Sequence, residues 1–154
     1  MTVSENIQLA TDKIRENSLN FFTTFTNKNY VLEKVDFCLG QVGLIEANNQ
    51  PVASLSHGDC RKLEIAMALA SDAKLLLLDE PMAGLGPSET QEMIALLNKL
   101  KGKQTILLVE HDMDAVFALA DRISVLVSGE IIATGEPNNI RRDSKVQKAY
   151  LGEA

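Results

Sequence analysis

At 154 residues, with 45% hydrophobic and 23% charged positions, the chain has the make-up of a globular domain and not of a disordered tail. Its net charge of −6 argues against a nucleic-acid binder, whose footprint is a basic stripe. No apolar run approaches the roughly 20 residues that span a bilayer, and Met1 to Asn6 have neither the basic end nor the apolar stretch of a signal peptide.

The pattern changes near residue 71. Residues 1–70 read as helical: Val3, Ile7 and Ala10 stand at helical spacing, as do Val31, Val35 and Cys38. The stretch Phe21–Phe25 is open between loop and helix end. Gln41–Ser54, with its Gly, Asn and Pro, reads as a connector. A helix is predicted from His57 to Ala70, with Leu63, Met67 and Ala70 on one face. Cys38 and Cys60 have no metal or redox spacing and read as small apolar fillers.

Residues 71–154 alternate strand and helix. Leu75–Leu78 is a continuous apolar run, the pattern of a strand covered on both faces. Ser88, with Gln91 three residues later, has the spacing of a capping box, and Met93, Leu96, Leu97 and Leu100 form the inward stripe of a helix that Gly102 stops. Thr105–Val109 is a second buried strand, followed by a helical stripe of Met113, Val116, Phe117 and Ala120. Ile123–Val127 and Glu130–Thr134 flank Ser128-Gly129 as a hairpin. A polar helix from Asn139 to Tyr150 closes the chain. Strands alternating with helices of this length predict an α/β fold with a mainly parallel sheet.

Three segments carry candidate chemistry. In residues 75–81, Leu-Leu-Leu-Leu-Asp-Glu-Pro, an apolar strand ends in two acids. Ligands of open α/β sheets bind at such carboxyl ends. There Asp79 is placed to hold a hydrated Mg²⁺ and Glu80 to orient and deprotonate a water; a solvated loop is the alternative. In Leu-Ser-His-Gly-Asp, residues 55–59, a helix start offers free N–H groups, Ser56 adds a hydroxyl and Gly58 allows close approach, the elements of an anion site. A plain N-cap is the alternative. In Leu-Leu-Val-Glu-His-Asp-Met, residues 107–113, His111 ends a strand, where it either meets a phosphate oxygen or is an ordinary surface residue; for His57 the latter is the stronger reading.

The order of these segments along the chain, with Ala-Gly-Leu-Gly at 83–86 between the Asp-Glu-Pro strand and the strand that ends in His111, resembles the ABC ATPases: signature, Walker B and switch histidine. The wording of Leu55–Asp59 with Arg61 to Ala66, of Leu75–Gly84, of Val109–Met113, and of Gly129–Gly135 with Ala149–Gly152 is similar to the ATPases of branched-chain amino acid importers, with urea and short-chain amide importers close behind. The resemblance implies a helical subdomain over 1–70, ending in the signature helix, and the C-terminal half of a P-loop ATPase core over 71–154. It implies ATP and Mg²⁺ as cofactors. Asp79 would hold Mg²⁺ through water, with Glu80 and His111 as catalytic residues. Ser56, His57, Gly58 and Asp59 would grip the partner's ATP, and Gly84–Gly86 would line the dimer seam. The implied partners are a second ABC ATPase subunit and membrane permease subunits, with no nucleic acid, and the implied place is the cytoplasmic face of the membrane.

The sequence departs from the family pattern in places. His57 stands for the usual second glycine, Asp59 for the usual glutamine and Gly86 for a frequent aspartate. No Gly-x-x-x-x-Gly-Lys-Ser/Thr occurs in the 154 residues, so the phosphate-binding loop (Walker A) is not among them. The chain reads as starting just after the family's glutamine loop, a truncated subunit inactive alone, with a gap in the sheet where the phosphate-loop strand would lie. Two other functions fit the same residues: a non-enzymatic partner lending its signature face to an intact ATPase, and a soluble ABC ATPase outside transport. A decayed gene product is a further possibility.

Overall fold

The computed structural model describes residues 1–16 and 27–151, and side chains over 1–11 and 29–150. The Phe21–Phe25 stretch lies outside the described residues. Two compact units divide the chain, Met1–Val109 and Glu110–Ala154.

The first unit opens with helix α1 (Val3–Glu16), started by a capping box that the sequence reading did not single out. Thr2 Oγ1 accepts from the Glu5 N–H at 3.2 Å, and Glu5 Oε2 accepts from the Thr2 N–H at 2.7 Å. Val3 and Ile7 are buried as their spacing predicts; the third buried position is Thr11, not Ala10. Thr11 meets the core because its hydroxyl donates to the Ile7 carbonyl at 3.0 Å, which satisfies the polar atom within the helix. Helix α2 (Asn27–Val42) buries Val35, Cys38, Leu39 and Val42. The connector contains two 3₁₀ turns, Ile45–Ala47 and Val52–Ser54, and holds the chain start: Val3 N–H donates to Gln50 O and Val52 N–H to Met1 O.

Helix α3 (His57–Ala70) has the predicted bounds, capped by Ser56 Oγ, which accepts from the Asp59 N–H at 3.1 Å. Past its end, Asp72 turns through φ 51 and pairs with Lys34 of α2. Strands β1 (Leu75–Asp79) and β2 (Thr105–Val109) run parallel, with Leu75 opposite Thr105 and Asp79 opposite Val109. The expectation that both strands are covered on both faces is corrected. Leu76 is 2% exposed, but Leu77 is 69%, Leu107 57% and Val109 56% exposed. Successive strand side chains take opposite faces, so the odd-numbered residues of both strands share the uncovered one.

Between the strands lies α4 (Pro87–Leu100), which buries Met93, Leu96, Leu97 and Leu100. Its start also corrects the sequence reading: the N-cap is Gly86, not Ser88, and the N–H of Gly86 donates to Glu89 Oε2 at 3.0 Å. Pro87 explains the shift, because proline's missing N–H and fixed φ suit the first helical position. Gly102, at φ +82, ends the helix as expected.

In the second unit, Asp112 caps α5 (Met113–Leu119) by accepting from the N–H groups of Asp114 and Ala115. Strands β3 (Ile123–Val127) and β4 (Glu130–Gly135) form the predicted hairpin, antiparallel, with Ser128 at φ 50 and Gly129 at φ 84. Positive φ at both turn residues matches the twist of a two-residue hairpin. Ile123, Val125, Ile140 and Val146 make this unit's core, with Val116 and Phe117 packed on it. The closing helix is not continuous. It divides into α6 (Pro137–Arg142), α7 (Ser144–Val146) and a π-turn over Gln147–Leu151, because the Asp143 carboxylate takes the N–H groups of Lys145 and Val146 and restarts the helix.

The architecture is α/β; among the described residues β1 and β2 pair as a parallel sheet in the first unit, and β3 and β4 as the antiparallel hairpin of the second.

Candidate functional site

Three segments of the first unit converge on the carboxyl end of β1 and the start of α3. Asp79 is the last residue of β1 and is exposed. Glu80 follows with φ 45, an uncommon conformation for a residue with a Cβ. Its N–H donates to the Val109 carbonyl at 2.8 Å, which fixes the bend against β2. Pro81 and Met82 then turn inward and are buried. A depression of about 180 Å³ lies between α3 and this strand end, lined by Arg61, Glu64, Leu77, Asp79 and Pro81 among others. Arg61 donates through Nη1 to Glu64 at 2.9 Å, while its Nε is buried and makes no hydrogen bond.

The Ser56–Asp59 turn and the Ala83–Gly86 loop are brought together. His57 Nε2 lies 3.3 Å from the Ala83 carbonyl oxygen. Ser56 and His57 are exposed and Gly58 is buried. Asp59 pairs with Lys62 at 3.4 Å, and Lys62 pairs with Glu92 of α4 at 2.7 Å. Partial burial draws the Lys62 ammonium down, but the hydrogen bond and charge of Glu92, and then the charge of Asp59, outweigh it and hold Lys62 above its ordinary value. The acid of the turn is therefore neutralised by a lysine one helical turn on.

His111 belongs to the second unit. Its side chain is 72% exposed, and Nδ1 stands 3.7 Å from Glu110 Oε2. Glu110 was not singled out as a site residue from the sequence, yet its side chain is 1% exposed and its carboxylate accepts from the N–H groups of His111 at 2.9 Å and Asp112 at 3.3 Å. A buried acid facing two consecutive N–H groups shapes the backbone that carries the histidine. Glu89 was missed as well; only the distance three residues from Gly86 hinted at it.

Mg²⁺ asks for hard oxygen ligands and commonly takes one or two carboxylates beside waters and phosphates. Asp79 offers one such carboxylate at an open strand end, and no three metal-ligating side chains cluster among the described residues. These residues fit one side of a hydrated ion, not a closed protein cage.

Comparison with known proteins bears on the same segments. The family model described as ABC transporter matches residues 1–83, and that described as branched-chain amino acid ATP-binding cassette transporter matches 130–154. The chain is 43% identical over 125 residues to the high-affinity branched-chain amino acid transport ATP-binding protein LivG of Escherichia coli, covering 80% of this chain and 49% of LivG. It is 39% identical over 163 residues to BraF of Pseudomonas aeruginosa, of the same description, covering 100% of this chain and 63% of BraF. Among solved structures, MJ1267, an ATP-binding cassette of an ABC transporter, superposes with TM-score 0.79 at 31% identity over 97% of this chain and 62% of its own. The chain thus spans less than two thirds of the length of each of these relatives. Matched by the family model over more than half of its length, the chain belongs to the ABC transporter family.

Proposed function

We infer that this chain contributes the signature and Walker B portions of the ATP-binding subunit of an ABC importer for branched-chain amino acids. In this reading residues 1–70 are the helical part that meets the permease and 71–154 the later half of the ATPase core. The subunit works at the cytoplasmic face of the membrane, paired with a second ATPase subunit. Among the described residues no helix is long and apolar enough to cross a membrane, which suits a peripheral subunit served by separate permeases.

The observation that carries the reading is the bend at the end of β1. Two acids stand in succession at the carboxyl end of a parallel strand, and the second holds a left-handed backbone pinned to Val109. Strain of this kind is kept where geometry serves chemistry. Bound MgATP supplies the phosphoryl group and the metal's charge. Asp79 would hold the hydrated ion on its hard oxygen, and Glu80 would take the proton of the attacking water. His111, carried by the second unit, would by the family resemblance donate to a phosphate oxygen. The turn at Ser56 and Gly58, with its helix N–H groups, meets the ATP held by the second subunit.

The test is co-purification of this chain with an intact subunit such as LivG, followed by ATPase rates. Glu80→Gln, Ser56→Ala and His111→Ala in this chain are each expected to lower the rate of the assembly by tenfold or more. Rates that depend on Ser56 alone would point to a chain that lends only its signature face. Rates indifferent to all three would remove the reading.

A further inference from the structure

The turn that opens α3 and the loop that opens α4 are joined by two side chains, one from each. From the turn, His57 Nε2 lies 3.3 Å from the Ala83 carbonyl oxygen, so the ring N–H is the donor, because a carbonyl only accepts. The same nitrogen lies 3.2 Å from where a Cβ on Gly84 would stand, and Gly84 holds φ +77. The ring thus covers a glycine that another residue replaces only with both strain and collision.

From the loop, Glu89 accepts the Gly86 N–H through Oε2 at 3.0 Å. Its Oε1 lies 2.8 Å, and its Cδ 3.2 Å, from where a Cβ on Gly58 would stand. Gly58 is buried, so the carboxylate arm fills the space of the missing side chain. Ordinary capping does not account for these contacts. Ser56 already caps α3, and the bond to Gly86 needs only one carboxylate oxygen.

We propose that His57 and Glu89 are positioning residues that lock the Ser56–Asp59 turn and the Ala83–Gly86 loop into one surface, and that residue 58 is glycine because Glu89 occupies its side-chain space. The purpose of the lock rests on the function inferred above: donors that meet a triphosphate held by another subunit act best when fixed beforehand. In this arrangement His57 serves the site through the loop, with its ring turned to its own chain. The lysine at 62 adds a second tie between the same two helices, through Glu92.

Residue-by-residue amide hydrogen exchange of the 154-residue chain, without nucleotide, tests the lock. Gly58→Ala places its methyl group on Glu89 and is expected to raise exchange at the Gly86 amide at least about fivefold, the factor of one ordinary hydrogen bond. Glu89→Ala is expected to raise it as much, and the double variant no further. His57→Phe, which keeps a ring but no donor, is expected to raise exchange over 84–86, whereas His57→Gln, which keeps an N–H donor, is expected to preserve protection. Unchanged exchange at Gly86 in both Gly58→Ala and Glu89→Ala overturns the proposal, and so does a rise spread evenly over α3, α4 and β1. The nucleotide reading is separable: if the exchange pattern holds while Ser56→Ala leaves the ATPase rate of the co-purified assembly unchanged, the lock stands and that reading falls.

Discussion

The backbone N–H of Glu80 donates to the carbonyl oxygen of Val109 at 2.8 Å, so the β1–β2 ladder runs one step past Asp79 and ends in a residue at φ 45. The bend is strained at a position where the proposed chemistry needs a carboxylate.

A comparison of two substitutions at this position reads that strain. Glu80→Gln and Glu80→Gly both remove the acid, but only glycine relieves the backbone. A left-handed residue with a Cβ costs about 1–2 kcal/mol and glycine's extra chain entropy takes back about 0.5–1 kcal/mol, so a net relief of about 0.5–1 kcal/mol corresponds to roughly 1–4 °C in melting temperature for a chain of this size. Thermal melts are expected to place Glu80→Gly above Glu80→Gln, with both inactive in the assembly. A Gly variant melting below the Gln variant would mean that the bend carries no strain.

The ion pair of Lys34 and Asp72 ties α2 to the end of α3. Partial burial draws the Lys34 ammonium down, but the hydrogen bond and charge of Asp72 outweigh it, so its pKa is raised above the ordinary 10.5. The folded state therefore holds this proton more tightly than the unfolded chain. The stability this confers is fully present below the unfolded value and is lost as pH rises through the folded one. Melts between pH 9 and 12 are expected to show a steeper alkaline loss for the parent chain than for Lys34→Met. Parallel curves would show that the pair contributes nothing.

Much of this fold is legible in side-chain spacing. The stripe Met93, Leu96, Leu97 and Leu100 is buried where period 3.6 puts it, and the Ser128-Gly129 hairpin follows from two residues that accept positive φ. What spacing hides is competition between polar groups for the backbone. Ser88 loses the cap of α4 because Pro87 suits the first helical position and the Glu89 carboxylate reaches back to Gly86. Asp143 breaks the last helix by taking two N–H groups for itself. Apolar runs also misled: four leucines predict a strand that wants cover on both faces, but they do not say whether the covering layer is in the same 154 residues. For the candidate site, the motif positions of Asp79, Glu80 and Ser56 were visible as residue types. The buried Glu110 and the Glu89 arm over Gly58 were not, because both depend on where a flexible acid points.

Leu77, Leu107 and Val109 lie on one face of the β1–β2 sheet and are 69%, 57% and 56% exposed. An open apolar face on a sheet whose two strands pair only with each other among the described residues favours association. The 154-residue chain is expected to self-associate at micromolar concentration in sedimentation experiments. Leu77→Thr with Leu107→Thr, which puts polar but β-branched strand formers on the face, is expected to shift it toward monomer without loss of secondary structure. A parent chain that sediments as a single monomer and melts cooperatively would contradict this.

Nucleotide binding by these 154 residues alone is expected to be weak, for a reason of charge and geometry. The sequence holds no Gly-x-x-x-x-Gly-Lys-Ser/Thr, so the backbone cradle and lysine of a phosphate loop are not among its donors. Each charge-assisted hydrogen bond to a phosphate contributes about 1.5–3 kcal/mol. The loss of three such bonds is comparable with the roughly 8 kcal/mol of an entire micromolar affinity. What remains in the first unit at these motifs is Asp79, which repels a triphosphate unless a cation intervenes, and the Ser56 turn, which has one hydroxyl to donate while its Asp59 N–H is already given to Ser56 Oγ. Titration calorimetry with MgATP is therefore expected to give no saturable heat below about 1 mM. Addition of an intact subunit is expected to restore binding that depends on Ser56. A micromolar isotherm from the chain alone would show that its own residues form a phosphate site that this geometry does not provide.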